Sequence, residues 1–266
     1  MIGVNTMTPS WEVRGGSAKE LRELGYDTIR IHLDMSVPNY PNQLELIPET
    51  IRDCTANGID VVLNIRNTEH DFAAVEAEWE KLIPLYDGKK AVIAYELVNE
   101  PFNKAIVYED YIHGMVKRLR LLTDKIFIIG AGGGPTGVGF ELLTPIDDNN
   151  IIYAFHMYWP YPYTQQGLRP NSPTGLKWHG DYYNAPRDRS DLLHQDCRWA
   201  IAFQEKYNVR MAVTELGVST HSDDKSANQW FADVIGICKE HKWDYFIHAY
   251  PISDDSDFKF PQSNWS

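Results

Sequence analysis

Two glutamates follow apolar, strand-like runs and could form a catalytic pair. Glu100 ends the run "AYELVNE" at residues 94–100, and Glu215 lies within "VTEL" at residues 213–216. A carboxylate at the end of a buried strand is costly unless it has a partner or a task. Two carboxylic acids in different environments can divide the roles of acid and nucleophile, which is the minimum equipment for glycoside hydrolysis.

Other polar side chains end similar runs. Arg30 lies in "TIRIHLD", and His156 and Tyr158 lie in "FHMYW". Each has a simpler explanation when taken alone. Either glutamate could be a solvated strand end, His156 a structural histidine, and Tyr158 an ordinary strand former. Arg30 could merely neutralise a buried Glu96. Their joint occurrence on four strand-like runs favours a shared site.

Eight short β-like runs alternate with helical patterns along the chain. The predicted strands cover residues 2–5, 27–33, 59–65, 91–99, 125–130, 150–158, 209–215 and 244–250. The helical patterns cover about 17–25, 48–58, 70–86, 106–123, 190–207 and 224–240. This alternation, without a break in composition, predicts one (β/α)8 TIM barrel, and we expect residues 1–266 to form a single catalytic domain. A doubly wound sheet is the alternative, but no GxGxxG motif follows the first strand.

Such a barrel carries its catalytic groups at the carboxyl ends of the strands. Alternate residues of a strand share a face, so Glu215 is expected to share the face of Met211 and Val213. If this parity faces the barrel axis, one mouth collects five side chains: Arg30, Glu100, His156, Tyr158 and Glu215.

Two segments fit the barrel less well. Only 16 residues follow the eighth strand, without a helical period, so we expect the last helix to be short or missing. The glycine-rich stretch 130–139 predicts a flexible loop at the barrel mouth, with a phosphate cradle as the alternative. A short helix near Phe140–Leu143 is the only helical possibility before the sixth strand.

The motifs "YELVNEP", "FHMYWPYPYTQQG" and "TELG" together resemble glycoside hydrolase family five, the cellulase family of (β/α)8 barrels with catalytic glutamates on strands 4 and 7. The resemblance spans nearly the whole chain. It implies that Glu100 is the general acid/base and Glu215 the nucleophile. It also implies that Asn99 binds the 2-hydroxyl of the sugar, that Arg30 and Tyr158 hydrogen-bond Glu215, and that His156 lines the site near the acid.

The chain departs from the family pattern on two strands. The third strand carries Asn64, Arg66 and Asn67, where the family often has aspartate and histidine. The eighth strand reads "FIHAYP", where the family usually has a tryptophan under the sugar. His248 and Tyr250 are the candidates to replace that tryptophan.

Aromatic side chains in the predicted loops offer faces for sugar rings, although about half are expected to be ordinary packing. The loop aromatics are Trp11, Trp159, Tyr161, Tyr163, Trp178, Tyr182 and Tyr183. Trp159 and Trp178 are the preferred sugar platforms, and the long stretch 159–189 is predicted to be a functional loop over the cleft.

Composition restricts the partners. The net charge of −12 disfavours binding to nucleic acid or anionic lipid, although it also serves solubility. No apolar run is long enough to span a bilayer, and no cofactor or metal motif is recognisable. The three cysteines allow at most one disulfide. The first residues do not resemble a signal peptide, so we expect either an intracellular protein or a secreted one whose signal lies outside this sequence. We expect a monomer.

The leading hypothesis is a retaining β-glycoside hydrolase that cleaves internal β-1,4 linkages of a polysaccharide, with β-glucan as the first choice. The alternatives are a mannan-cleaving or exo-acting relative and a carbohydrate-binding barrel without catalysis. Schiff-base chemistry is disfavoured because no lysine lies at a predicted strand end.

Overall fold

A computed structural model describes residues 1–6, 17–68, 71–101, 105–134, 136–178, 189–250 and 257–261. Eight parallel strands form a closed barrel in the order β1 to β8. The strands are β1 (Ile2–Thr6), β2 (Thr28–Asp34), β3 (Asp60–Arg66), β4 (Val92–Glu96), β5 (Ile126–Gly130), β6 (Ile151–Met157), β7 (Arg210–Leu216) and β8 (Asp244–Ile247). The predicted (β/α)8 architecture is confirmed.

Helices connect the strands around the outside of the barrel. They are α1 (Ala18–Glu23), α2 (Tyr40–Asn57), α3 (Phe72–Tyr86), α4 (Ala105–Leu119), α5 (Tyr161–Thr164), α6 (Arg189–Tyr207) and α7 (Asp224–Glu240). Aspartate side chains cap two of them, because Asp71 accepts from the backbone of Ala74 and Asp223 from that of Ser226. A 3₁₀ helix, Gly137–Glu141, lies close to the short helix predicted before β6.

Several predicted boundaries are wrong, and two of them matter here. Helix α2 begins at Tyr40 rather than near residue 48. The proline in its first turn is Pro41, and Pro48 lies inside the helix. Strand β4 ends at Glu96 rather than at residue 99. Beyond Glu96 the regular strand ends, but Leu97 and Asn99 still donate to carbonyls of β5 and β3, and the chain then brings Glu100 to the mouth.

The barrel interior is a small apolar cluster covered by charged groups at the carboxyl end of the strands. It contains Val62, Ala94, Ile128, Ile152, Ala154, Ala212 and Phe246. Met211 and Val213 lie instead in the outer core between the strands and the helices. The predicted parity is therefore wrong on β7. The pairing of β6 with β7 shifts register between Phe155 and His156, and this irregularity lets Glu215 pair with His156.

After β8, the described residues 248–250 and 257–261 contain no helix, in agreement with a short or missing last helix. Cys54, Cys197 and Cys238 are all buried and free, so the possible disulfide is absent. Among the described residues, we find no helix whose length and apolar character would allow it to cross a membrane.

Candidate active site

A buried arginine organises the polar layer at the barrel mouth. Arg30 on β2 is fully buried, and its Nε and Nη2 atoms both donate to Glu96 on β4. Its Nη1 donates to Glu215 Oε1 at 2.9 Å and to Asn5 Oδ1 at 2.7 Å. Its Nη2 also donates to Asn99 Oδ1 at 2.7 Å. Arg30 therefore neutralises Glu96, as the simpler explanation required, and contacts the candidate nucleophile as well.

The carboxylate of Glu215 is held by several donors. Tyr158 donates its hydroxyl to Glu215 Oε2 at 2.9 Å, and His156 Nδ1 lies 3.5 Å from the same oxygen. Burial alone would raise the pKa of Glu215, but positive charge on His156, His248 and Arg30 outweighs burial and holds this pKa well below its ordinary value. Only the arginine is charged at every pH, so it is the dependable source of this effect.

Glu100 lies in a wetter environment than Glu215. Its side chain is 24% exposed, against 7% for Glu215. His156 Nδ1 is 2.8 Å from Glu100 Oε1, so the imidazole bridges the two carboxylates. Burial opposes protonation of His156, but the charges of Glu215 and Glu100 prevail and raise its pKa.

The two carboxylates approach each other closely. One oxygen of Glu100, one oxygen of Glu215 and a ring nitrogen of His156 all lie within 4.8 Å of one another. Three such atoms could in principle bind a cation. Arg30, Tyr158 and His156 already satisfy these oxygens by hydrogen bonds, however, and Arg30 supplies the compensating charge. The arrangement suits an acid paired with an ionised nucleophile better than a metal centre.

Several residues outside the predicted set complete this layer. Thr214 donates its hydroxyl to Glu96 Oε1 at 3.1 Å, and Asn5 on β1 donates to the carbonyl of Thr214 at 2.9 Å. Asn5 and His32 lie on the same face of their strands as Arg30. The alternation that predicted Arg30 at the mouth therefore also predicts these two residues there. Thr214 was not found, because it shares the inward face of Ala212, whereas the predicted parity put Met211 and Val213 on that face.

The residues on and after β3 that depart from the family pattern lie in different environments. Asn64 is fully buried in the wall, and its Oδ1 has no hydrogen-bond partner among the described residues. Arg66 instead pairs with Asp34 at 2.8 Å on the rim, where the arginine side chain is 38% exposed. Asn67 is buried beside them.

Of the two candidates on β8, only His248 reaches the site. Its Nδ1 lies 3.9 Å from Glu215 Oε2, and its ring contacts Tyr158 edge-on, with the ring centroids 6.2 Å apart. Tyr250 has other contacts, which give no support to its predicted role. Its ring is buried against Phe260, and its hydroxyl donates to Glu20. The chain leaves β8 after Ile247, so the strand parity that paired the two residues no longer holds.

The two tryptophans predicted to be sugar platforms differ in their burial. Trp178 is only 6% exposed, and its Nε1 donates to Asp233 on α7 at 2.6 Å. It also packs on Tyr163, with the ring centroids 5.7 Å apart. A ring buried in this way gives no support to its predicted role as a sugar platform. Trp159 is half-buried at the end of β6, so its role as a platform stays a prediction.

The remaining loop aromatics add little to the site. Tyr163 is buried and hydrogen-bonds Ser222, so it packs the loop, whereas Tyr161 contacts Trp159 edge-on. Trp11, Tyr182 and Tyr183 lie outside the described residues.

The glycine-rich stretch contacts the residue that follows Glu100. The backbone N–H groups of Gly133 and Gly134 both donate to the carbonyl of Pro101, at 2.9 and 3.0 Å. The alternative of a phosphate cradle is wrong for these two amides, because a carbonyl already occupies them.

Comparison with known proteins supports the family resemblance. Residues 3–252 match the sequence profile of the cellulases (glycosyl hydrolase family 5). Endoglucanase C of Acetivibrio thermocellus is 24% identical over 197 residues, covering 63% of this chain and 57% of the relative. The chain thus spans little more than half the length of that relative. Cellodextrinase A of Ruminococcus flavefaciens is 21% identical over 262 residues, covering 86% of this chain and 76% of the relative.

Among solved structures, endoglucanase Cel5A from the hyperthermophilic Thermotoga maritima superposes with a TM-score of 0.80 at 20% sequence identity. The match covers 94% of this chain and 89% of that chain. At this identity the likeness concerns the fold.

Proposed function

The chain belongs to glycosyl hydrolase family 5, and from that premise we propose that it is a retaining endo-β-1,4-glucanase with Glu100 as acid/base and Glu215 as nucleophile. The observation that carries the proposal is the approach of the two carboxylates, whose nearest oxygens lie within 4.8 Å. Retaining glycosidases hold their carboxyl groups roughly 5 Å apart, whereas inverting enzymes need a gap wide enough for a water molecule.

The first chemical step uses the two glutamates in opposite protonation states. Glu215, kept ionised, attacks the anomeric carbon of the sugar on the non-reducing side of the scissile bond. Glu100 gives its proton to the glycosidic oxygen as the bond to the leaving sugar breaks. The products of this step are a glycosyl ester on Glu215 and a free hydroxyl on the departing chain.

In the second step the roles of Glu100 reverse. Its carboxylate removes a proton from a water molecule, which attacks the anomeric carbon and releases Glu215. Two displacements on opposite faces restore the original β configuration. Arg30 and Tyr158 stabilise the nucleophile as a leaving group, and Asn99, oriented by Arg30, presents its amide to the 2-hydroxyl of the sugar.

Action within a β-1,4-glucan is supported by the endoglucanases among the relatives. A second candidate is cleavage of short cello-oligosaccharides, because Cellodextrinase A aligns with the larger share of this chain. Viscosity of carboxymethylcellulose separates the two. An endo-acting enzyme lowers viscosity early, whereas an oligosaccharide-cleaving enzyme releases reducing sugar from cellotetraose with little change in viscosity. Mannan and xylan in the same panel test the substrate class.

Azide rescue of two alanine variants tests the residue roles. Glu215→Ala should lose nearly all turnover, and azide in the vacated space should convert an activated aryl β-cellobioside to the α-glycosyl azide. Glu100→Ala should still form the glycosyl-enzyme from that substrate, because an activated leaving group needs no proton. Azide should intercept this intermediate and give the β-glycosyl azide.

The anomeric proton coupling in a nuclear magnetic resonance spectrum identifies each product. If Glu215→Ala gave the β-glycosyl azide and Glu100→Ala the α-glycosyl azide, the two roles would be reversed. Wild-type activity in both folded variants would refute catalysis by either glutamate. A wild-type protein that binds cello-oligosaccharides but hydrolyses nothing would favour the carbohydrate-binding alternative.

A further inference from the structure

Glu100 has a backbone conformation that a residue other than glycine adopts only under constraint. Its φ is +45°, in the left-handed region. Such a conformation is strained for a residue with a side chain and persists only where the surroundings enforce it. The residues on either side of Glu100 must therefore be fixed by other parts of the barrel.

The preceding residues are fixed by the neighbouring strands. Leu97 donates its backbone N–H to the carbonyl of Ile128 on β5 at 3.0 Å, and Asn99 donates to that of Ile65 on β3 at 2.9 Å. These bonds hold the chain up to the residue before Glu100.

The following residue is fixed by the glycine-rich segment after β5. The Pro101 carbonyl accepts from the N–H groups of both Gly133 and Gly134, at 2.9 and 3.0 Å. Gly133 has φ +94° and Gly134 φ +104°, which residues with a side chain rarely adopt. The ring of Pro101 also packs closely on Gly130, where an added methyl carbon would lie only 3.3 Å from Pro101 Cδ.

We propose that Gly133 and Gly134 are positioning residues for the acid/base Glu100. Their paired N–H groups clamp the Pro101 carbonyl, and the clamp keeps Glu100 in its left-handed conformation against His156. This inference rests on the proposed function, because it assigns a task to the segment that borders the proposed acid. It also gives the two glycines a task, because their amides point at one carbonyl with φ values that side chains disfavour.

The variant Gly133→Ala tests the proposal with little steric interference, since no atom lies within 4 Å of the added methyl carbon. The added methyl group disfavours φ +94° and should turn the N–H away from Pro101. A misplaced acid slows only those substrates whose leaving group must be protonated. A displacement of about 1 Å can cost on the order of a hundredfold in rate.

The measurement is kcat/KM, which reports formation of the glycosyl-enzyme, on two aryl β-cellobiosides. Phenyl β-cellobioside has a poor leaving group and needs the acid, whereas 2,4-dinitrophenyl β-cellobioside does not. Gly133→Ala should lose roughly ten- to a hundredfold on the phenyl substrate and less than about threefold on the dinitrophenyl substrate. Gly133→Asn, whose side chain tolerates positive φ, should recover part of the phenyl activity.

Gly58→Ala is the matched control. Gly58 has φ +68° at the end of α2, also with no atom within 4 Å of an added methyl carbon. This variant should lower the melting temperature and leave the ratio of the two kcat/KM values unchanged.

Two results would overturn the inference. One is a folded Gly133→Ala whose ratio equals that of the wild type. The other is an equal loss on both substrates, which would indicate a general structural role. If Gly133→Ala does not fold, Gly134→Ala is judged by the same ratio. A wild-type protein inactive on both substrates would instead refute the proposed function, so the two failures can be told apart.

Discussion

Replacing Arg30 by methionine should lower the stability of the fold and hinder the ionisation of Glu215, the proposed nucleophile. The two effects can be measured separately. Methionine keeps much of the length of the side chain but removes its charge and all its donors. The change leaves the buried carboxylates of Glu96 and Glu215 without their shared cation. It also releases Asn5 and Asn99 from Arg30.

The structural cost follows from burial. Arg30 is 0% exposed, and removing one partner of a buried ion pair typically costs about 3–5 kcal/mol. In a chain of this size each kcal/mol lowers the melting temperature by about 2–4 °C. Arg30→Met should therefore melt about 10 °C below the wild type near neutral pH.

The effect on activity follows from the pKa of Glu215. Arg30 helps to hold this pKa low, so its removal should raise it. Because the proposed nucleophile must be ionised, the acid limb of the kcat/KM profile should move to higher pH. The stabilisation linked to the low pKa is present above the pKa that Glu215 has in the unfolded chain, and it is lost as the pH falls through the folded pKa. The difference in unfolding free energy between the two proteins should consequently narrow in acid.

Arg66→Met is the matched control on the neighbouring strand. Arg66 also pairs with a carboxylate, that of Asp34, but its side chain is 38% exposed. Exposed pairs contribute about 0–1 kcal/mol, so this variant should melt within about 4 °C of the wild type and keep the acid limb in place. Circular dichroism melts and pH profiles on an aryl β-cellobioside provide the data. A folded Arg30→Met with the wild-type acid limb would refute the electrostatic role given to the arginine.

Four further substitutions separate binding, catalysis and packing. Tyr158→Phe removes the 2.9 Å hydrogen bond to Glu215 and should lower kcat/KM about tenfold with little change in the melting temperature; an unchanged kcat/KM would contradict the contact. His248→Phe removes a buried ring nitrogen that has no hydrogen-bond partner among the described residues, so the protein should melt higher and KM for cello-oligosaccharides should rise; an unchanged KM would show that this nitrogen binds no sugar hydroxyl. Trp178→Phe should lower the melting temperature at unchanged KM, and Trp159→Ala should raise KM; the reverse pattern would restore Trp178 as a platform.

The barrel was predictable because its signal is local and repeated. Every predicted strand overlaps the strand found, since apolar runs bounded by turn residues recur between helical periods. The start of α2 was missed because Pro48 reads as the first turn of a helix, although here it lies in the middle. A proline in the body of a helix costs local stability, and packing of Ile47 and Ile51 in the core outweighs that signal.

The site was predictable where strand parity holds and unpredictable where it fails. Arg30 and His156 keep the alternation of their strands, so their side chains point where parity puts them. Glu215 reaches the same mouth only because β7 shifts register beside it. Tyr250 shares its parity with His248 but follows the end of β8, where contacts distant in sequence decide its direction.

Arg30 also shows why the structural and functional explanations of a residue need not exclude each other. Its Nε and one terminal nitrogen bind Glu96, and that same terminal nitrogen also orients Asn99. The other terminal nitrogen binds Glu215 and Asn5. A planar group with five donors can serve all these acceptors at once, whereas the compact ammonium of a lysine has three. The arginine and both carboxylates could be identified from the sequence. The way in which they share the donors of Arg30 could not, because that arrangement depends on four strands closing around one side chain. The arginine that makes a buried Glu96 tolerable in the barrel is thus the same residue that helps to hold the pKa of Glu215 low.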